Sequence, residues 1–427
     1  MIILLFVMLF GFIGFGFSIW TAMGLSGIIY ILIQGEFSLR ILIQTMVGGI
    51  DSTTLIAIPF FIFVGKLMSV SGITKKLADF SDFFVGRFRG GLAYVSILVS
   101  FIMAGVSGSA VADASSVSAV LHPLMKERGY DDEFAAAINS SSAVIGPIFP
   151  PSIPMIFISV ITGLSLGRLF LGGVVPGILM AMFLAVTVAV TSRKKKYAIV
   201  KMEMSLKRFF KLLKDTLFAL LGPIFVIMGI ILGFVTLVEV AALSIFYFLI
   251  ISLFVYRTVK LKDLFSIFKE TAVFSSSIMI IFAVVGLYQY IVAVEQLGEQ
   301  LLRLLISLDM NKHVFLLFTT VFFLIMGCIL DAVPVMLIFV PILLPIAVNL
   351  GIDPTHFGVI VVLNLMIGLL TPPIGGILFV QTKISGLSFN ALVKAIWPHT
   401  LTLLAVLMLI TYVPALVTFL PNMVFGR

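Results

Sequence analysis

The sequence predicts an all-α polytopic membrane protein, an inverted repeat with two re-entrant helical hairpins and two broken helices. Three observations carry that prediction. Of 427 residues, 61% are hydrophobic and 11% are charged, against roughly 45–50% and about 25% in soluble domains. So few charges cannot cover a water-facing surface. The apolar residues also fall in blocks near the ~20 residues that a helical span needs. Finally, Gly and Pro recur in constant register: Pro123 and Pro345 stand 222 positions apart (345 − 123). Phe101 and Phe323, Gly105 and Gly327, Gly129 and Gly351, Asp131 and Asp353, and Gly146 and Gly368 share that spacing, as do Pro150–Pro151 with Pro372–Pro373 and Pro176 with Pro398.

In chain order the apolar segments cover about 1–33, 53–70, 92–121, 134–161, 169–191, 217–235, 240–256, 272–293, 314–348, 357–380 and 398–420. The first begins MIILLFVMLFGFIGFGF, with neither a basic leader nor a small-residue cleavage site, and reads as a retained membrane segment. It is one tilted span or two short ones around Gly14–Ser18; its counterpart, 217–256, favours two. Residues 192–214, SRKKKYAIVKMEMSLKRFFKLLK, interleave basic residues with Phe209, Phe210, Leu212 and Leu213. This pattern suits an amphipathic helix on the cytoplasmic surface, with a partner-protein target as the alternative. The expected organisation is a first repeat at 1–191, this linker at 192–214, and a second repeat at 215–427.

Charge orients the halves. The loop 71–91 carries Lys75, Lys76, Arg87 and Arg89 against Asp79 and Asp82, whereas 294–312 carries Arg303 and Lys312 against Glu295, Glu299 and Asp309. Positive loops stay cytoplasmic, so the two face opposite sides and the repeat is inverted. With 71–91 and 192–214 on one side, an even number of crossings separates them. The segments 134–161 and 169–191 supply two, which makes 92–121 a re-entrant hairpin and 314–348 its mirror copy. Non-helical backbone at such a tip survives only where it is buried in protein or lines a wet cavity.

The first tip, Ala104 to Ser116, reads AGVSGSAVADASS; the second, Met326 to Pro334, reads MGCILDAVP. Small residues also serve close helix packing, but at a hairpin apex they bring hydroxyls and carbonyls inward. Asp113 and Asp331 are ionisable residues within apolar spans, and so are functional candidates, or helix caps. The spans that follow are interrupted at Gly146-Pro147-Ile148-Phe149-Pro150-Pro151 and at Gly368-Leu369-Leu370-Thr371-Pro372-Pro373. Proline removes N–H donors and frees carbonyls. Paired breaks in two halves point to a transporter's binding site, where half-helix ends and freed carbonyls hold solute and ion.

Other chemistry finds little support. His122, His313, His356 and His399 form no metal-ligand pair. There is no Walker loop for ATP, and no pattern for intramembrane proteolysis. Cys328 is the only cysteine, so no internal disulfide forms. The net charge of +8 sits between apolar blocks, which argues for membrane lipid rather than nucleic acid as its partner.

The stretch GVSGSAVADASSVSAVLHPLMKERGYDDEFAAAINSSSAVIGPIFPPSIPMI, with PFFIFVGKLM before it and NLMIGLLTPPIG after it, resembles the large membrane (M) subunit of TRAP transporters. The similarity runs along nearly the whole chain. It implies a secondary transporter for acidic solutes in a bacterial inner membrane, with Na⁺ as the coupling ion and an elevator mechanism. A small four-helix membrane subunit (Q type) and a periplasmic substrate-binding protein (P type) are the implied partners. Carried onto this chain, one Na⁺ site involves Ser107, Gly108 or Ser109 with Asn139 and the Gly146–Pro150 break. The second involves the Gly327–Asp331 tip with Gly368, Thr371 and Pro372. Ser109, Ser152 and Asp331 are expected at the substrate cavity, where a carboxylate can hold the hydroxyls of a polyhydroxylated acid. The hairpin wording is nearer the sialic-acid branch. A C4-dicarboxylate permease, a Na⁺/carboxylate symporter that works alone, and a channel or structural module are the alternatives.

Overall fold

The computed structural model describes residues 2–35, 39–199, 205–232, 235–307 and 310–426, and these form helices and turns without a strand. The first half begins with α1 (Ile2–Gly14), α2 (Ile19–Gln34), α3 (Leu39–Ile50), α4 (Ala57–Val70, after a 3-10 turn at Thr53–Ile56) and α5 (Ile73–Val85). A hairpin of α6 (Gly91–Ser107) and α7 (Ala110–Glu127) follows, then a broken helix of α8 (Asp132–Ala143) and α9 (Ile153–Thr162), then α10 (Leu166–Lys194). The second half runs α11 (Leu206–Leu232), α12 (Leu237–Ile250, continued by a π turn to Val255), α13 (Leu261–Val294) and α14 (Leu297–Ser307). Its hairpin is α15 (Lys312–Ile329) with α16 (Ala332–Asn349), its broken helix α17 (Pro354–Gly368) with α18 (Gly376–Ser385), and α19 (Phe389–Tyr412) and α20 (Ala415–Phe425) finish the chain.

The repeat is visible in the helix boundaries. Both α7 and α16 are 18 residues long and start 222 positions apart (332 − 110). The two hairpins and two broken helices lie where the Gly/Pro register places them. At 12 and 10 residues, α8 and α9 are roughly 15–18 Å long, about half a hydrocarbon core. The second arm of each hairpin packs on the second segment of the other half's broken helix, α7 on α18 and α16 on α9. That exchange is what a two-fold relation between the halves requires.

Direction is set by α4 and α13. Lys66 meets Glu270, while the Ser71 carbonyl accepts from Thr258 Oγ1 at 2.6 Å. The partner number falls as the α4 number rises, so the two helices are antiparallel. Residues 275–292 of α13 are the register counterparts of 53–70, so the halves are inverted. The 222 register also shows that α13 corresponds to α3 and α4 joined without the break at Asp51–Ser52. The apolar blocks of the sequence did not isolate α3.

The N-terminal block is two helices, as its counterpart favours, with the break at Phe15–Ser18. One expectation meets a different local structure. The basic stretch is not a separate surface helix where it is described: Ser192–Lys194 end α10, 200–204 lie outside the described residues, and Leu206–Lys214 are the first turns of α11. Phe209 packs on Phe83 and Phe84 of α5, with centroids at 5.7 and 6.1 Å, which gives those turns a protein surface instead of lipid alone.

Candidate functional site: a cavity between the hairpin tips

The first tip is built by Gly108. It ends α6 with φ 57°, and a Cβ there would run into the Pro151 carbonyl and stand 3.1 Å from Ile153 N. Glycine satisfies both demands, the left-handed turn and the close approach to the first helix break. Ser109 then caps α7, its Oγ accepting from Ala112 N–H at 3.4 Å. Ser107 Oγ donates to Asp113 Oδ1 at 2.5 Å. Asp113 is fully buried, and its other oxygen has no partner. That bare oxygen lies where a side chain on Gly146 would point, so Asp113 links the tip to the break. A bare carboxylate oxygen in a dry interior is costly unless a cation or a proton meets it.

Two residues expected at this site stand behind it. Ser152 is fully buried; its Oγ donates to the Pro147 carbonyl and accepts from Met155 N–H at 3.2 Å, capping α9. It shapes the break and does not line the cavity. Asn139 Oδ1 accepts from Ser96 Oγ at 2.7 Å, within a cluster that includes Ser142 and Ser100. Ser96 precedes Ser107 on α6 by about three helical turns, or ~16 Å, so Asn139 is held well away from the tip.

The second tip relies on close packing. A Cβ on Gly327 would stand 3.2 Å from Leu365 Cα and 3.3 Å from Gly368 Cα, so α15 and α17 touch backbone to backbone there. The second break is tied back to the hairpin by Ile374 N–H, which donates to the Cys328 carbonyl at 3.2 Å. Thr371 Oγ1 donates to Ile367 O at 2.9 Å. Asp331 occupies the N-cap position of α16 without a side-chain cap bond, and its side chain is exposed to the cavity.

That cavity has a volume of about 850 Å³ and joins the two tips. Ser107, Gly108, Ser109 and Asp331 line it, so register partners far apart in sequence face one space. Gly146, Pro150, Gly327, Gly368, Thr371 and Pro372 are not among its lining residues; they carry the tips from behind. Sequence reasoning missed Lys66 on α4 and Asp263 and Glu270 on α13, which also line it. Lys66 Nζ stands 2.7 Å from Glu270 Oε2. The available signal was a lysine inside the apolar run PFFIFVGKLM.

The cavity lies toward one membrane face. Its lining takes Lys66, Ser69 and Val70 from the end of α4 and Asp263 from the start of α13. These ends adjoin the start of α5, with Lys75 and Lys76, and the turn bearing Arg257 and Lys260, the cytoplasmic side by charge. On the same face the turn between α7 and α8 is pinned. Lys195 Nζ and, at 2.7 Å, Tyr197 OH donate to Asp131 Oδ2, and the Lys195 bond holds the Asp131 carboxyl below its ordinary range. Arg128 grips both oxygens of Asp82 at 3.2 and 3.0 Å, fastening the base of the hairpin to α5.

Comparison with known proteins identifies the family. Residues 6–416 match the family described as tripartite ATP-independent periplasmic transporter, DctM component. The chain is 35% identical over 397 residues to the sialic acid TRAP transporter large permease protein SiaM of Vibrio cholerae, covering 93% of each chain. It is 34% identical over 401 residues to the C4-dicarboxylate TRAP transporter large permease protein DctM of Pseudomonas aeruginosa, covering 94% of each. Among solved structures, the YdaH transporter of Alcanivorax borkumensis superposes with a TM-score of 0.66 at 13% identity, over 87% of this chain and 88% of that one, a likeness of fold. The chain therefore belongs to the DctM-type large permease subunits of TRAP transporters, multi-pass proteins of the bacterial inner membrane that take up solutes and are not enzymes.

Proposed function

We propose that this subunit carries an acidic, hydroxylated solute, sialic acid first among candidates, inward with Na⁺ by an elevator movement of the hairpins and broken helices. The observation that carries the reading is the single cavity shared by Ser107, Ser109 and Asp331. The Ser109 hydroxyl accepts from Ala112 N–H and keeps its proton for a solute carboxylate, and the Asp331 carboxylate accepts from sugar hydroxyls, so a polyhydroxylated acid uses both. A C4-dicarboxylate uses only the first.

Na⁺ suits the first tip. Asp113 Oδ2 is a buried, unpartnered carboxyl oxygen beside a proline-rich break, and hard cations take oxygen ligands. Asp113, Ser107 and carbonyls near Gly146 would hold the ion there; Gly327, Thr371 and the Gly368–Pro372 break are the counterpart at the second tip. The cavity's position near the cytoplasmic face suits a release state. A small membrane subunit and a periplasmic binding protein are the proposed partners, as the family name itself suggests.

The test is uptake of radiolabelled N-acetylneuraminate into proteoliposomes holding this chain with its small subunit, binding protein outside, under an inward Na⁺ gradient. Uptake that needs both Na⁺ and the binding protein supports the reading. Uptake of succinate alone under those conditions corrects the solute, and uptake without any binding protein overturns the tripartite mechanism.

A further inference from the structure

The cavity presents an electrostatic problem for any anionic solute. Its described lining carries three carboxylates, Asp263, Glu270 and Asp331, and one cation, Lys66. An anion entering a partly dry space among three acids is repelled unless a positive group accepts it directly. The neighbour of that cation, Gly65, packs on the first tip, where its Cβ would stand 3.5 Å from Ser107 Cα. Lys66 and Ser107 therefore face the same space from adjacent surfaces.

The ion pair is unequal. The Lys66 side chain is 31% exposed and that of Glu270 61%, so the carboxylate is the partner with freedom to withdraw into water. Glu270 also keeps a second hydrogen bond, from Ser266 Oγ at 3.4 Å to Oε1, so releasing Lys66 leaves it solvated and partnered. Lys66 has no such alternative: its ammonium, on a helix between the tip and α13, needs a carboxylate or water.

We propose that Lys66 receives the carboxylate of the solute in the cytoplasm-facing cavity, and that Glu270 holds this position until the solute displaces it. The inference rests on the uptake of acidic solutes proposed above and names the group that recognises the acid. Exchange of one carboxylate for another keeps the ammonium paired throughout, and solute departure is driven by the return of Glu270. Hydroxyl recognition falls to Asp331 and acid recognition to Lys66 with Ser109, all lining one space.

The two partners then have opposite effects on affinity, which a purely structural α4–α13 link would not produce. Equilibrium binding of radiolabelled N-acetylneuraminate is measured on the purified complex with its small subunit in detergent and Na⁺. Lys66→Gln is expected to weaken binding by about 10-fold or more, the scale of one charge-assisted hydrogen bond. Glu270→Gln removes the competitor and tightens binding by about 3-fold or more, and Lys66→Arg stays near wild type. The carboxylate methyl ester of the same sugar binds Lys66→Gln and wild type alike. Size-exclusion profiles and thermal midpoints confirm that each variant is folded. Unchanged affinity in Lys66→Gln, equal weakening by both single variants, or rescue by the Lys66→Glu/Glu270→Lys exchange overturns the proposal. If wild type binds neither N-acetylneuraminate nor succinate, the functional reading fails and this inference falls with it.

Discussion

Asp113 and Asp331 illustrate how one residue type takes two roles by environment. Asp331 is open to the cavity. Its replacement by Ala is expected to abolish uptake while expression and assembly with the small subunit persist; normal uptake removes it from the site. Asp113 is sealed, with one oxygen held by Ser107 and one bare. Removing the Ser107 hydroxyl and the Ser109 cap together, as Ser107→Ala/Ser109→Ala, is expected to raise the half-saturating Na⁺ concentration about 10-fold, from one hydrogen bond to a charged group. Na⁺ titration of uptake reads this directly, and an unchanged curve moves the ion elsewhere.

At the scale of elements, the hairpin turn and its cytoplasmic base set how the first half behaves. Gly108→Ala combines a left-handed φ with collision against the Pro151 carbonyl. The expected cost is about 2 kcal/mol or more, read as a lowered thermal midpoint of the purified complex, with retained midpoint as the contrary outcome. The Asp131–Lys195 pair is an exposed link, worth below ~1 kcal/mol. Because the Asp131 carboxyl is depressed in the folded protein, its contribution is present above the ordinary carboxylate pKa and is lost as pH falls through the lowered value. Lys195→Gln should therefore lower the midpoint slightly at pH 7, and the gap to wild type should close at strongly acidic pH. A gap independent of pH would assign the effect to packing of the lysine stem.

The whole molecule is two inverted halves whose tips meet in a cavity set toward the face bearing Lys75, Lys76, Arg257 and Lys260, the cytoplasmic one by charge. Ser69, which lines it near the end of α4, reports that state. In a Cys328→Ser background, Ser69→Cys is expected to react with a membrane-impermeant thiol reagent added on the cytoplasmic side, and more slowly with solute present. Labelling from the periplasmic side alone would mean the opposite state dominates. Antiparallel α4 and α13 border this opening; Lys66 and Glu270 join them, and Thr258 donating to the Ser71 carbonyl joins the turns at their ends.

The sequence by itself determined the architecture. Membrane spans follow from apolar blocks, inversion from loop charge, and the hairpins and breaks from Gly and Pro at a spacing of 222, because backbone that leaves the helix inside a membrane needs those residues. It also marked Asp331 as an ionisable candidate within an apolar span, and the family resemblance named Ser107, Gly108 and Ser109; all four line the cavity. Only the tertiary structure decided which of the remaining polar residues reach the cavity. Asn139 turns to Ser96 and Ser152 to the Pro147 carbonyl, choices made by side-chain neighbours on other helices. Lys66 and Glu270 meet across 204 residues of chain, a contact that no local pattern encodes and that exists because the inverted repeat lays α4 beside α13.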